Sequence, residues 1–295
     1  MRRILLAVSG GIDSMYLASR ASELMPDAVF AIAHCNFKLR GKESDEDEEF
    51  VREWANRHGM AFYCRTFDTE AYSEKNGISI EMAARELRYA WFKELMEAEG
   101  FDATAVAHNA NDNAETMILN LLRGTGGRGL RGMSGRDRIL RPMLDIERKE
   151  IRDWMVANDI SWREDRTNSE NVYKRNKIRN EVFPLFGQIN PSFIRTLQKD
   201  MKHIAQENDI AEEYFREALP KIIIDGNSIN IKALMELSHW EYVLWRWSEP
   251  YTLSDETFNK LVELLKSTRT ISGKSFESPT NLLTIHKKIL SALPR

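Results

Sequence analysis

Ile4-Leu5-Leu6-Ala7-Val8-Ser9-Gly10-Gly11-Ile12-Asp13-Ser14 joins an apolar run to a glycine turn and an Asp-Ser pair. The five apolar residues read as a buried strand, and the amphipathic stretch Met15 to Met25 reads as a helix. Glycines let a backbone approach an oxyanion closely, and a helix N-terminus points free N–H groups and a positive dipole end at it. Ser9 and Ser14 add hydroxyl donors, and Asp13 stands where it can hold a magnesium ion on the phosphates. The Lys-Ser/Thr ending of a Walker loop is missing, so this is a different phosphate turn. A serine-capped strand-to-helix turn accounts for the glycines but not for Asp13-Ser14.

Working outward, short apolar runs alternate with helical patterns. Strands are predicted at 4–8, 29–35, 61–67 and 103–107, and helices at 14–25, 44–58, 79–99 and 112–123. This alternation predicts an α/β fold, a parallel sheet with helices on both faces. Ligands in such folds bind beyond the carboxyl ends of the strands. Ser9 to Ser14, His34 to Arg40 and His108 to Glu115 each come directly after a strand, so three polar clusters are expected at one rim. Further on come a glycine-arginine loop, a helix at 147–158, a charged loop and a helix to 186. Gly187-Gln188-Ile189-Asn190-Pro191 reads as a boundary. A first domain is therefore expected over 1–188 and a smaller, mainly helical second domain over 189–295. Helices at 192–219, 240–247 and 255–266, a hairpin turning at Asp225-Gly226-Asn227 and short strands within 275–290 are expected there.

The net charge of −3 over 295 residues hides an asymmetry. Arg123 to Arg179 holds 15 Lys/Arg against 9 Asp/Glu, whereas seven carboxylates crowd Glu43 to Glu53. The acid run suits a solvated helix face; the arginine- and glycine-rich segment suits a phosphate backbone. No stretch approaches the roughly 20 apolar residues of a membrane span. The apolar run after Arg2-Arg3 is too short for a secretory signal. Cys35 and Cys64, the only cysteines, lack metal-ligand spacing, so a cytoplasmic location is expected.

Asp112 and Glu115 are three residues apart, on one helix face near its N-terminus, where the dipole favours carboxylates. Capping explains Asp112 but not His108 beside it. Two fixed carboxylates beside a phosphate site suit a cationic second substrate and help remove its proton. His34 and Asn36 are candidates for a nucleotide base or ribose, and Arg40 for phosphate or base. Arg85 and Arg88 on the third helix are candidates for nucleic acid or nucleotide. Arg175 and Arg179 share a helix face and suit bidentate phosphate recognition.

Taken in order, these clusters resemble the tRNA(Ile)-lysidine synthetases of the PP-loop ATP pyrophosphatase superfamily. The match takes in Ser9–Ser14, His34–Arg40 with Glu43-Ser44-Asp45, Glu81 with Arg85 and Arg88-Tyr89, and His108–Thr116. It continues through Arg123-Gly124-Thr125-Gly126, Arg141-Pro142, Glu164-Asp165 with Thr167-Asn168, and Arg175–Arg179. The resemblance implies that ATP adenylates the C2 oxygen of the wobble cytidine in isoleucine tRNA with a CAU anticodon. The lysine ε-amine then attacks C2 and expels AMP. Asp13, His108, Asp112 and Glu115 would carry the chemistry. Ser9, Gly10, Gly11, Ile12, Asp13, Ser14, His34 and Asn36 would bind ATP and its pyrophosphate, with magnesium on Asp13. Arg40, Arg85, Arg88, Arg123, Arg128, Arg175 and Arg179 would meet tRNA or phosphate. ATP and Mg2+ are the implied cofactors, tRNA and L-lysine the partners; no membrane is involved and a homodimer is compatible.

Phe37 stands where the family often has a second histidine, and His108-Asn109 where it often has a His-His pair. Asn111-Asp112-Asn113 replaces Asp-Asp-Gln, with Asp112 and Glu115 kept. Many relatives start with an extra helix and end with a further small tRNA-binding domain; a short form or a trimmed chain is expected here. Two other readings compete: a PP-loop tRNA thiolase, which needs poised cysteines, and a non-catalytic regulator that only senses ATP.

Overall fold

The computed structural model describes residues 1–133, 135, 138–164, 174–267 and 271–295. The chain forms two compact units, Met1–Ile204 and Ala205–Arg295. The first contains β1 (Arg2–Ala7), α1 (Ile12–Leu24), β2 (Ala28–Asn36), α2 (Lys42–Arg57), β3 (Ala61–Thr66), α3 (Thr69–Asn76) and α4 (Ile80–Glu99). It continues with β4 (Ala103–Ala105), α5 (Ala110–Leu122), α6 (Gly127–Leu130), β5 (Ile139–Leu140), α7 (Arg148–Ala157) and α8 (Lys174–Lys177). A π-helical turn, Ile178–Val182, leads into α9 (Phe183–Ile189), and α10 (Phe193–Ile222) runs across the division.

The five strands pair in the order β3-β2-β1-β4-β5, all parallel. From β1 the chain winds outward to β2 and β3, then returns to place β4 on the other side of β1. The switch point therefore lies between β1 and β4, where open α/β sheets bind ligands. Alternation along β1 supplies both cores. Ile4 and Leu6 pack with Met15 and Leu17 of α1, Val51 and Trp54 of α2, and Ile151 and Met155 of α7. Leu5 packs on the opposite face with Trp91, Phe92 and Leu95 of α4. Burial on both faces is why β1 reads as an unbroken apolar run.

The expected break after 188 differs from the observed division at 204/205 for a packing reason. Ile194, at the start of α10, joins Phe183 of α9 and Ala114 and Ile118 of α5 in one buried cluster. The rings of Phe183 and Phe193 meet edge to face at 5.0 Å. β5 and α3 are among the elements that lie outside the sequence expectations. β5 has two residues, too few for any periodicity. α3 has local signals, an Asp68 N-cap accepting from the Ala71 N–H and a left-handed Gly77 after its end.

The second unit adds β6 (Ile223–Asp225), β7 (Ser228–Asn230), α11 (Ile231–Met235), α12 (Trp240–Ser248), α13 (Asp255–Lys266), β8 (Ser275–Glu277), β9 (Asn281–His286) and β10 (Ile289–Pro294). The hairpin at Asp225–Ser228 forms as expected. Pairing of β10 with β7 extends it into an antiparallel sheet ordered β6-β7-β10-β9-β8, a larger sheet than the expected short strands. Ile229, Leu283, Ile285 and Leu290 pack there against Val243, Leu244 and Leu261.

Ile151 is fully buried where α7 meets the sheet core. Replacing it with alanine should lower stability by about 2–5 kcal/mol. Urea unfolding followed by tryptophan fluorescence checks this. A loss below about 1 kcal/mol would mean that α7 is not part of the core.

Candidate active site

The glycine turn leaves β1 through Val8, whose N–H donates to the Ala33 carbonyl at 3.0 Å. Gly10 takes φ +94°, a left-handed conformation that disfavours any side chain. The Ser14 hydroxyl accepts the N–H groups of Ser9 and Gly10, both at 3.1 Å, and donates to the Gly11 carbonyl at 2.8 Å. Ser14 therefore braces the turn from inside. Gly11 caps α1 without a side chain, so the first amides of that helix, including Ile12 and Asp13, are left for a ligand.

Across the switch point, Asn109 caps α5. Its Oδ1 accepts the Asp112 N–H at 3.0 Å, and Asp112 Oδ2 accepts the Asn109 N–H at 3.1 Å, a closed capping box. The Asn109 side-chain amide then donates to Asp13 Oδ1 at 3.0 Å, tying the helix after β4 to the turn after β1. Asp112 Oδ1 faces Arg148 Nη2 at 3.2 Å and Arg179 Nη2 at 3.3 Å. Arg148 also reaches to within 3.8 Å of Asp13 Oδ2. Glu115 is fully buried and accepts a fork from Arg179, Nε at 2.7 Å and Nη2 at 3.1 Å. Arg175 Nη2 donates to Thr116 Oγ1 at 3.2 Å. Three carboxylates face two guanidiniums, leaving one formal negative charge in excess among the five.

Burial pushes the Asp13 carboxyl above its ordinary value, with Arg148 opposing and Asp112 reinforcing the rise. Burial likewise raises Glu115, while the Arg179 fork pulls it back. Burial works against the Arg179 charge, yet the bonds to Glu115 and the charges of Asp112 and Asp13 hold its pKa above the ordinary value. His108 is pushed down to about 4 by burial, against the pull of Asp112 and with help from Arg141, Arg175 and Arg85. It is neutral at pH 7, and its Nδ1 is buried without a hydrogen-bond partner among the described residues. A buried ring nitrogen in that state is open to a hydrogen bond with a bound ligand, as donor or acceptor according to its tautomer.

Several sequence-selected residues are engaged by neighbouring groups of the chain. The Asn36 amide donates to Asp45 Oδ1 at 2.9 Å and Glu48 Oε2 at 3.0 Å, and its oxygen accepts the Lys38 N–H at 3.1 Å. His34 is buried with Nδ1 at 2.9 Å from the Val8 carbonyl, bracing β2 against β1. Arg40 is paired to Asp47 at 2.6 Å. Arg179, a candidate for tRNA or phosphate, lies on the π-helical turn with its guanidinium on Glu115 and Asp112. Arg85 and Arg88 lie over the rings of Tyr89 and Phe37, at 5.0 Å and 5.3 Å. Arg123 and Arg128 are exposed. Asp165, Thr167, Asn168 and Tyr173 lie outside the described residues. Arg148 was missed, although a cation in the first turn of α7 opposes the helix dipole and is a legible signal of a second role. Arg163 and Asp47 carry no such signal.

Cys35 and Cys64 are both pushed up to about 12, chiefly by burial, so neither is a thiolate at neutral pH. Among the described residues no group of three or more His, Cys, Asp or Glu is gathered for a metal, and no helix is long and apolar enough to cross a membrane.

This geometry defines a class first. Residues 1–186 match the PP-loop domain family, and residues 224–293 match the TilS substrate binding domain family. A protein of Chlorobaculum tepidum named tRNA(Ile)-lysidine synthase is 40% identical over 250 residues, covering 81% of this chain and 74% of that protein. Its namesake from Parabacteroides distasonis is 38% identical over 287 residues, 96% of this chain and 64% of that protein. The chain thus spans 64% of the length of the latter relative. Among solved structures, the U34-tRNA thiolase NcsA from Methanococcus maripaludis shares the fold, with TM-score 0.57 at 14% identity over 70% of this chain and 72% of that one. The chain belongs to the tRNA(Ile)-lysidine synthase family of PP-loop proteins.

Because the Asp13 pKa is raised on folding, its contribution favours the fold at low pH. That advantage is lost as pH rises from the ordinary carboxylate value through the raised one. Asp13→Asn should therefore melt higher than wild type at pH 7, with the gain shrinking toward pH 4. Calorimetric scans across that range check the sign; a variant less stable at pH 7 would contradict it.

Proposed function

We propose that this chain ligates lysine to C2 of the wobble cytidine in isoleucine tRNA bearing a CAU anticodon, through an adenylated tRNA, releasing pyrophosphate and then AMP. One observation carries the reading: the Asn109–Asp13 bridge sets the phosphate turn and the carboxylate helix in one crevice. In the first step the cytidine oxygen attacks the α-phosphorus and pyrophosphate leaves toward the turn amides and the N-terminus of α1, where negative charge is favoured. Asp13 fits a magnesium ion held mainly by phosphate oxygens and water, which needs only one or two carboxylates. When bound, that ion offsets charge on the departing pyrophosphate.

In the second step the lysine amine attacks C2 and AMP leaves. Glu115 is committed to Arg179, so the ammonium is received by Asp112 Oδ1 and Asp13 Oδ2, in competition with Arg148. The carboxylates of Asp112 and Asp13 are placed to take the amine proton as the bond forms, with neutral His108 as a hydrogen-bond partner beside them. Arg123 and Arg128, exposed in the basic segment, suit the tRNA backbone, and the match of 224–293 to a substrate binding domain supports a tRNA role for the second unit. The absence of membrane-spanning helices among the described residues is compatible with work in the cytoplasm. The raised thiol pKa values speak against sulfur transfer.

The test is incubation with ATP, magnesium, labelled lysine and CAU-bearing isoleucine tRNA. Label should enter the RNA only with ATP present, with one pyrophosphate released per lysine incorporated. Pyrophosphate release without lysine incorporation, or ATP binding without turnover, would contradict the proposal.

A further inference from the structure

Seven carboxylates crowd residues 43–53, and Asp47 is the buried one among them. Its Oδ2 accepts Arg40 Nη2 at 2.6 Å and its Oδ1 accepts Arg163 Nε at 2.9 Å. Arg163 Nη2 also meets Glu46 Oε2 at 2.7 Å. The main chain of Arg163 then does something its side chain does not: its N–H donates to the Gly10 carbonyl at 2.9 Å. The same residue covers the turn, since a Cβ on Gly10 would lie 3.7 Å from Arg163 Cγ. One carboxylate therefore links the loop after β2, the loop after α7 and the phosphate turn.

Peptide planarity makes this link directional. In a trans peptide the C=O and the next N–H point in opposite directions. Holding the Gly10 carbonyl on Arg163 fixes the Gly11 N–H on the opposite side, where its contact with Ser9 Oγ, at 3.5 Å, is long. A glycine has no Cβ to set this orientation for itself. We propose that Asp47 is a positioning residue for the phosphate turn, clamping Arg163 so that the Gly10–Gly11 peptide presents its N–H to the pyrophosphate group. This rests on reading the turn as the site of the ATP phosphates.

The test measures binding of inorganic pyrophosphate and of AMP, separately, by calorimetry on the whole chain. Wild type should bind pyrophosphate; failure to do so removes the phosphate-site reading and this proposal with it. Asp47→Asn and Arg163→Gln should each weaken pyrophosphate binding about tenfold, leaving AMP affinity and both stoichiometries unchanged, because only one peptide is misaimed. The double variant should be no weaker than the poorer single one, as expected of residues in one clasp. A folding lesion would instead lower stoichiometry for both ligands. Arg163, with 38% of its side chain exposed, is the safer substitution if Asp47→Asn folds poorly. Unchanged pyrophosphate affinity in Arg163→Gln, equal weakening of AMP, or losses that multiply in the double variant would each overturn the proposal.

Discussion

The hydrogen bond from Asn109 Nδ2 to Asp13 Oδ1 joins two loops that the chain reaches ninety-six residues apart. A parallel sheet brings the carboxyl ends of β1 and β4 side by side but does not by itself align the loops beyond them. Asn109 does so with one side chain: its oxygen caps α5 and its amide holds Asp13. Rotation of that amide would lose both bonds together. The orientation of α5, and hence of Asp112 and Glu115, is in this way coupled to the phosphate turn.

Around that bond lies a group of charges that burial makes costly. A buried carboxylate without its partner destabilises a protein by about 3–5 kcal/mol, so Glu115 and Arg179 stand or fall as a pair. Asp112 divides its attention: one oxygen closes the capping box and the other is shared by two arginines. Shared partners are easier to exchange than exclusive ones. Arg148 holds Asp112 without a second strong partner, while Arg179 is anchored on Glu115 as well.

Much of the fold was legible. The apolar run of β1 and the helices with apolar periodicity lie within a few residues of their expected places, because burial on a sheet face dictates that pattern. The glycine turn between β1 and α1 was recognisable from the order of its residues, an apolar run followed by Ser-Gly-Gly-Ile-Asp-Ser. What the sequence did not disclose is how polar groups are shared. Ser14, Asn36 and Arg179 each also satisfy neighbouring groups of the chain, and that choice of partner depends on packing the sequence does not display. The pairing of Asp47 with Arg163 was hidden in an acid run whose other members are less buried.

The most direct measurement is tRNA-dependent pyrophosphate release by Asn109→Ser. Serine retains an oxygen to cap α5 but removes the amide that holds Asp13. The account predicts release slowed about 100-fold, with a preserved melting profile and preserved tRNA affinity, as expected when reacting groups are misplaced by about an ångström. Release at the wild-type rate would mean that the switch-point bridge does not organise the site.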